Sequence, residues 1–241
     1  MSLARHRPQR SAPNIEYPDA SGEFDHIEHP GVLRAIARLD QVLPLRIRQS
    51  RLSPPMREAH RRLLRVFLET GGPPRAAWVD GVDYGDAVET LVEHELVVTD
   101  EAGVITGAYP FTVEPREHRV ETRYGAVRAM CSIDALAISP MYDIPVTIRS
   151  RCRVSGAAVT LRQHGETVET PSNSAPVFAA IDWAAGTRGA SCSATLCTEM
   201  MYIVGVANRD RWHGADPAFR QTLALDQAAI FAAAIFRPLV R

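Results

Sequence analysis

The sequence predicts an α+β protein: a winged helix-turn-helix-like N-terminal module over residues 31–114, then a mixed α+β domain with an antiparallel sheet over residues 115–241. A polar, loosely ordered extension, residues 1–30, precedes both. Three observations carry this expectation. Apolar residues recur at helical spacing through the first third of the chain. Short β-branched runs bounded by turn residues dominate the second half. These runs follow one another instead of alternating with helices, which argues against repeated βαβ units.

Taken in order, residues 1–30 are proline-bearing and too polar to offset the cost of ordering. Residues 31–43 place Val32, Leu33, Ile36, Leu39 and Leu43 on one helical stripe, closed by Pro44. Pro54 and Pro55 introduce a second helix, residues 56–70, with Leu63, Leu64, Val66 and Phe67 apolar and Gly71-Gly72 at its end. A short helix at 76–79 and a clearer one at 84–95 follow, the latter turning Ala87, Val88, Leu91 and Val92 inward. Two β-branched runs then flank the turn Asp100-Glu101-Ala102-Gly103. Helix, turn, helix and hairpin together give the winged-helix expectation. Further on, residues 123–138 have helical patterning, 145–148, 157–161, 177–180 and 200–206 are strand-like, and 223–236 form a closing amphipathic helix.

Composition narrows the function classes. Of the 241 residues, 46% are hydrophobic and 23% charged, the balance of a water-soluble globular protein. The net charge is −1, and every basic residue is arginine, with no lysine. No whole-chain field attracts nucleic acid or anionic lipid. The helix at 84–95 carries Asp86, Glu89, Glu93 and Glu95 and no arginine, the wrong sign for a helix facing phosphates. No apolar run approaches the ~20 residues of a membrane span, and the arginine-bearing N-terminus lacks the apolar segment of a secretory signal. The expectation is a cytoplasmic protein with reduced thiols. The eight histidines show no ligand spacing and read as surface residues, and no phosphate loop, serine elbow or HExxH helix is present.

Chemistry then rests on Cys131, Cys152, Cys192 and Cys197. Cys131 and Asp134 stand three apart in a predicted helix, which puts both on one face. A carboxyl beside a thiol can take its proton, leaving a thiolate for a soft metal while the acid stores the proton. Spacing alone favours the simpler reading of a small buried cysteine beside a solvated aspartate.

The stretch Met130-Cys131-Ser132-Ile133-Asp134-Ala135-Leu136 resembles the motif of the alkylmercury lyases (organomercurial lyases). Cys152, in SRCRVSG, stands where that family has a further cysteine. The run Leu196-Cys197-Thr198-Glu199-Met200-Met201-Tyr202-Ile203 is similar to the family's third block, a cysteine leading into an apolar strand. Trp212, the closing helix and the wing GVITGAYPFT also fit, so the resemblance spans residues 55–241. It implies protonolysis of a carbon–mercury bond, with Cys131 and Cys197 seizing the metal and Asp134 carrying the proton. It implies a small organometallic substrate, no organic cofactor, mercury bound as product, and free thiols or a mercuric reductase as metal acceptor.

The departures fall around the substrate. Met130 stands where the family commonly has an aromatic residue, Thr198 where a second cysteine is frequent, and Tyr202-Ile203 where paired phenylalanines occur. Cys152 reads as structural, because nothing acidic accompanies it. Cys192 remains the rival of Cys197 for the second thiol. Two other functions stay open on the residues: a non-enzymatic zinc protein using four thiolates, and a metal-responsive winged-helix regulator.

Overall fold

The fold is described from a computed structural model, which covers residues 22–75, 81–187 and 191–241. The expected helix at 76–79 and residues 1–21 of the N-terminal extension lie outside the described residues. The described end of that extension is tied down, since Ile27 is buried in the core and Phe24 packs against it.

Local signals set the first helices. Helix α1, Pro30–Val42, buries Val32, Ala35, Ile36, Ala37 and Leu39 along one stripe. Pro44 ends it but also begins α2, Leu45–Ser50, which the pattern did not indicate. Helix α3, Pro54–Thr70, takes both prolines into its first turn, where their missing N–H groups cost nothing. It stops at Gly71, whose φ of 77° is the left-handed conformation glycine adopts freely. Helix α4, Tyr84–Glu93, is capped by Asp83, whose carboxylate accepts from the amides of Gly85 (2.7 Å) and Asp86 (3.1 Å).

Eight strands form one antiparallel sheet. They are β1 (Val97–Thr99), β2 (Ile105–Ala108), β3 (Phe111–Thr112), β4 (His118–Thr122), β5 (Gly125–Ala129), β6 (Val146–Arg151), β7 (Ala158–His164) and β8 (Thr167–Glu169), in the order β1-β2-β3-β5-β4-β6-β7-β8. The hairpin β1–β2 joins this sheet through β3. A smaller antiparallel sheet has β9 (Val177–Asp182) between β10 (Met200–Val204) and β11 (Arg220–Ala224). The mixed α+β class with antiparallel sheets is therefore what the chain adopts.

Between these layers lies α5, Ser132–Tyr142, in contact with β4 to β7, β10 and α7 (Leu225–Phe236). From Ser132 to Met141 every residue of α5 is buried, so this is a core helix without a polar face. Pro140 lies inside it and cannot bond back to the carbonyl of Leu136. The side chain of Gln163 on β7 supplies the missing donor, Nε2 to Leu136 O at 2.8 Å. A ninth-strand-side cluster of Cys152, Ala180, Met201 and Ile203 packs under Trp212 of α6, Val206–Gly214.

One expectation fails here in a way that matters. Residues 123–138 are not a single helix. The first part is β5, in which Val127 and Ala129 are buried while Ala126 and Arg128 are exposed. That alternation has period two, and pairing with β3 and β4 on both sides selects it over the helical reading. The helix begins only at Ser132, so Cys131 sits at a strand-to-helix junction.

Candidate active site

Cys131 is the N-cap of α5, with extended backbone (φ −150°, ψ −178°). Its Sγ accepts the amide N–H of Asp134 at 3.4 Å. Cys131 and Asp134 therefore meet across a cap and not as stacked residues on a helical face. Cys197 reaches them from a 3₁₀ turn, Leu196–Glu199, that leads into β10. One ligand atom from each of Cys131, Asp134 and Cys197 lies within 4.8 Å of the other two, and all three residues are buried. Among the described residues this is the one group of three or more such side chains able to hold a metal ion.

The other two cysteines stand apart. Cys192 directs its thiol to the carbonyl of Val42, 3.6 Å away. Burial, reinforced by Glu95, pushes its pKa up to about 11. Cys152 is fully enclosed; its sulfur accepts amides of Val204 (3.3 Å) and Ser155 (3.4 Å). It also bridges to Tyr202 and so ties the end of β6 to β10. All four cysteines are free, and they do not assemble into the four-thiolate zinc site left open by the sequence.

The electrostatics of the cluster favour protons over charges. Burial, then the neighbouring Cys197, raises the Cys131 thiol well above the ordinary range. For Cys197 a hydrogen bond from Cys131 pulls downward, but burial and the charges of Asp134 and Cys192 outweigh it and the net shift is upward. Burial, then Cys131, raises Asp134 well above the usual carboxylate range. Its Oδ2 is buried and makes no hydrogen bond among the described residues. A protonated, dry carboxyl with a free oxygen, beside two thiols, is a store of protons facing soft ligands.

The surroundings hold this trio and open it to one side. Tyr202 donates its hydroxyl to the carbonyl of Ser132 at 2.9 Å, fixing the first turn of α5 against β10. Tyr109 is buried as well, and burial, then the charges of Cys197, Cys192 and Asp134, raise its hydroxyl well above the usual range. A cleft of about 360 Å³ leads in past Arg116, His118, Arg153 and Thr198 to Met130 and Cys197. Arg116 binds Glu114 (2.8 Å) and the carbonyl of Ser193 (3.1 Å). Arg153 binds Glu117 (2.7 Å) and the carbonyl of Thr198, so Arg153 ties the Cys197 turn, and Arg116 the segment just before it, to the loop between β3 and β4. Of the residues flagged as departures, Met130 and Thr198 line the cleft, whereas Tyr202 and Ile203 are fully buried.

Two histidines correct the surface reading. His60 and His118 are both 1% exposed. His118 shares a hydrogen bond with Ser150 Oγ (2.9 Å) and meets the ring of Tyr202 edge-on at 5.5 Å. Burial, then Arg153 and Arg116, lowers its pKa to about 3, so it is neutral beside the cleft. Sequence reasoning also passed over Tyr109 and Met200. Both lay inside motifs that had been noticed, but neither carries a spacing that marks it as part of a site.

Comparison with known proteins identifies the fold and the family. The chain is similar in structure to the mercury-bound form of MerB2, with a TM-score of 0.59 and 17% identity, covering 84% of this chain and 98% of that one. At that identity the likeness concerns the fold. Comparison with curated protein sequences gives no significant match. The family profile described as "MerB: Alkylmercury lyase" matches residues 111–237, from β3 through α7. With more than half of the chain matched, including all three clustered residues, this protein belongs to the alkylmercury lyase family and is an organomercurial lyase.

Proposed function

We propose that this protein cleaves carbon–mercury bonds by protonolysis, with Cys131 and Cys197 as the mercury-binding thiols and Asp134 as the proton carrier. The supporting observation is the convergence of these three side chains in one buried pocket at the end of a cleft. A mercurial arriving as its thiol adduct exchanges that thiol for Cys131, and the displaced thiol leaves with one proton. Cys197 then binds mercury, and its proton replaces on Asp134 the one that the resting, protonated carboxyl delivers to carbon. Two sulfur donors weaken the bond from mercury to carbon, and Asp134 protonates that carbon as it departs. The balance is one organomercurial adduct and two protein thiols giving one hydrocarbon, one free thiol and mercury(II) held by two thiolates. No organic cofactor enters the scheme.

The metal acceptor would be free thiols or a mercuric reductase. Four free cysteines suit a reducing compartment such as the cytoplasm. No helix among the described residues is long and apolar enough to cross a membrane. Residues 31–114 serve, in this reading, as a winged-helix-like scaffold ahead of a catalytic unit at 115–241. A DNA-reading role is disfavoured by Asp86, Glu89 and Glu93 on α4.

Methyl- or phenylmercury incubated with the protein and excess thiol should release methane or benzene, detected by gas chromatography. Asp134→Asn should slow release by about 10²–10⁴-fold, the usual worth of a positioned proton donor. Cys131→Ser or Cys197→Ser should abolish it. Unchanged turnover in Asp134→Asn would show that the proton comes from elsewhere.

A further inference from the structure

Met200 carries a third soft sulfur to the pocket. Its Sδ lies 3.5 Å from Cys131 Sγ, and the side chain is 3% exposed. The local geometry explains the placement. Cys197 sits in a 3₁₀ turn and Met200 follows three residues later, at the turn's C-cap. With three residues per turn, positions i and i+3 eclipse, so both side chains leave the same side of the chain toward Cys131. Met200 is then fixed by pairing with Ile181 in β9 and by a hydrogen bond between its backbone and His118. Met130, the other thioether at the pocket, turns its methyl end against Gly107, where even a Cβ would come within 2.5 Å of it.

We propose that the Met200 thioether is a third donor to mercury held between Cys131 and Cys197; this rests on the thiol assignment made above. Coordination uses a sulfur lone pair, breaks no bond and releases no proton, so the balance of the reaction is unchanged. Two thiolates already neutralise mercury(II), and a neutral donor adds electron density without adding charge to a site where burial penalises charge. Thioether sulfur selects soft metals as thiolate does, whereas the harder carboxylate of Asp134 is left free for the proton. The expected consequence is tighter retention of the product ion than two thiolates alone would give.

The test uses full-length protein with all methionines replaced by selenomethionine, loaded with one equivalent of mercuric chloride. Selenium-edge X-ray absorption should show a mercury neighbour in the parent protein and in Met130→Leu, and none in Met200→Leu. Transfer of mercury to an excess of small-molecule thiol should be about tenfold faster from Met200→Leu, corresponding to ~1.4 kcal/mol. A parent protein that binds one mercury per chain, loses it in Cys131→Ser, and shows no mercury at the selenium edge overturns the third donor and leaves the two-thiol site standing. Mercury binding that is indifferent to both Cys131→Ser and Cys197→Ser overturns the donor and the site together.

Discussion

Asp134 is a carboxyl kept dry by its own fold, and its protonation is tied to stability as well as to chemistry. Its pKa is raised above the ordinary value of 3.8 by burial and by Cys131. The folded state therefore holds a proton that the unfolded chain releases. That contribution is fully present below about pH 4 and is lost as pH rises toward the folded pKa. Asp134→Asn stays neutral at every pH and escapes the loss. Metal-free Asp134→Asn should gain stability relative to the parent between pH 4.5 and 8, measured by urea unfolding. A difference that stays flat across that range would mean the carboxyl is not held protonated. Loaded with mercury, the same site must give up thiol protons, so metal affinity should rise with pH.

At the scale of elements, α5 shows how a buried helix can carry a proline. The carbonyl that Pro140 leaves without an intrahelical partner is bonded by Gln163 Nε2, which also reaches the carbonyl of Gly165, each at 2.8 Å. Ser139 strengthens the same end, its Oγ donating to Ile144 O (2.6 Å) and accepting from the Gly165 amide (2.8 Å). Gln163→Leu preserves much of the volume but leaves the buried carbonyl of Leu136 and the half-buried one of Gly165 without this donor. The expected cost is about 1–3 kcal/mol, read from the denaturant midpoint. Amide exchange should rise at the C-terminal end of α5 and little at its N-terminal end, where Cys131 caps the helix. An unchanged midpoint would show that water satisfies those carbonyls equally well.

Across the described residues, the main hydrophobic core runs from Ile27 to Leu239, so the first described segment and the C-terminal turn both pack into it. Gln49 Nε2 bonds both His60 Nδ1 (2.9 Å) and the carbonyl of Leu239 (2.7 Å), so α2, α3 and the C-terminal turn meet at a buried polar knot. Burial, aided by Arg61, lowers His60 to a pKa of about 3, against 6.5 for a free histidine. A depressed pKa contributes stability that is present above pH 6.5 and lost as pH falls through the folded value. His60→Gln should therefore flatten the acid limb of the stability curve by about 1.4 kcal/mol per pH unit between pH 6 and 4. Asp134 acts in the opposite sense over part of this range, so each effect is measured as a variant-minus-parent difference. A slope that His60→Gln leaves untouched would place the acid sensitivity elsewhere, His118 being the next residue to test.

Features that depend on near neighbours along the chain are legible in the amino-acid sequence. The limits of α1 and α3, the inward residues of α4 and the turn at Asp100 to Gly103 follow from periodicity, proline and glycine, all of which act within a few residues. The nearness of Cys131 and Asp134 was legible for the same reason, since a separation of three brings them together in a helix or across an N-cap. Which of these it is came from tertiary structure. Strands β3 and β4 claim residues 125–129 and push the helix start to Ser132, a choice made by hydrogen bonding to segments far from it in sequence. Only the packed chain sets Cys197 beside Cys131 while Cys192 turns to Val42. Only there do His60 and His118 become buried and Met200 come within 3.5 Å of a thiol. Dehydration and long-range pairing are properties of the assembled layers, and no local stretch of residues records them.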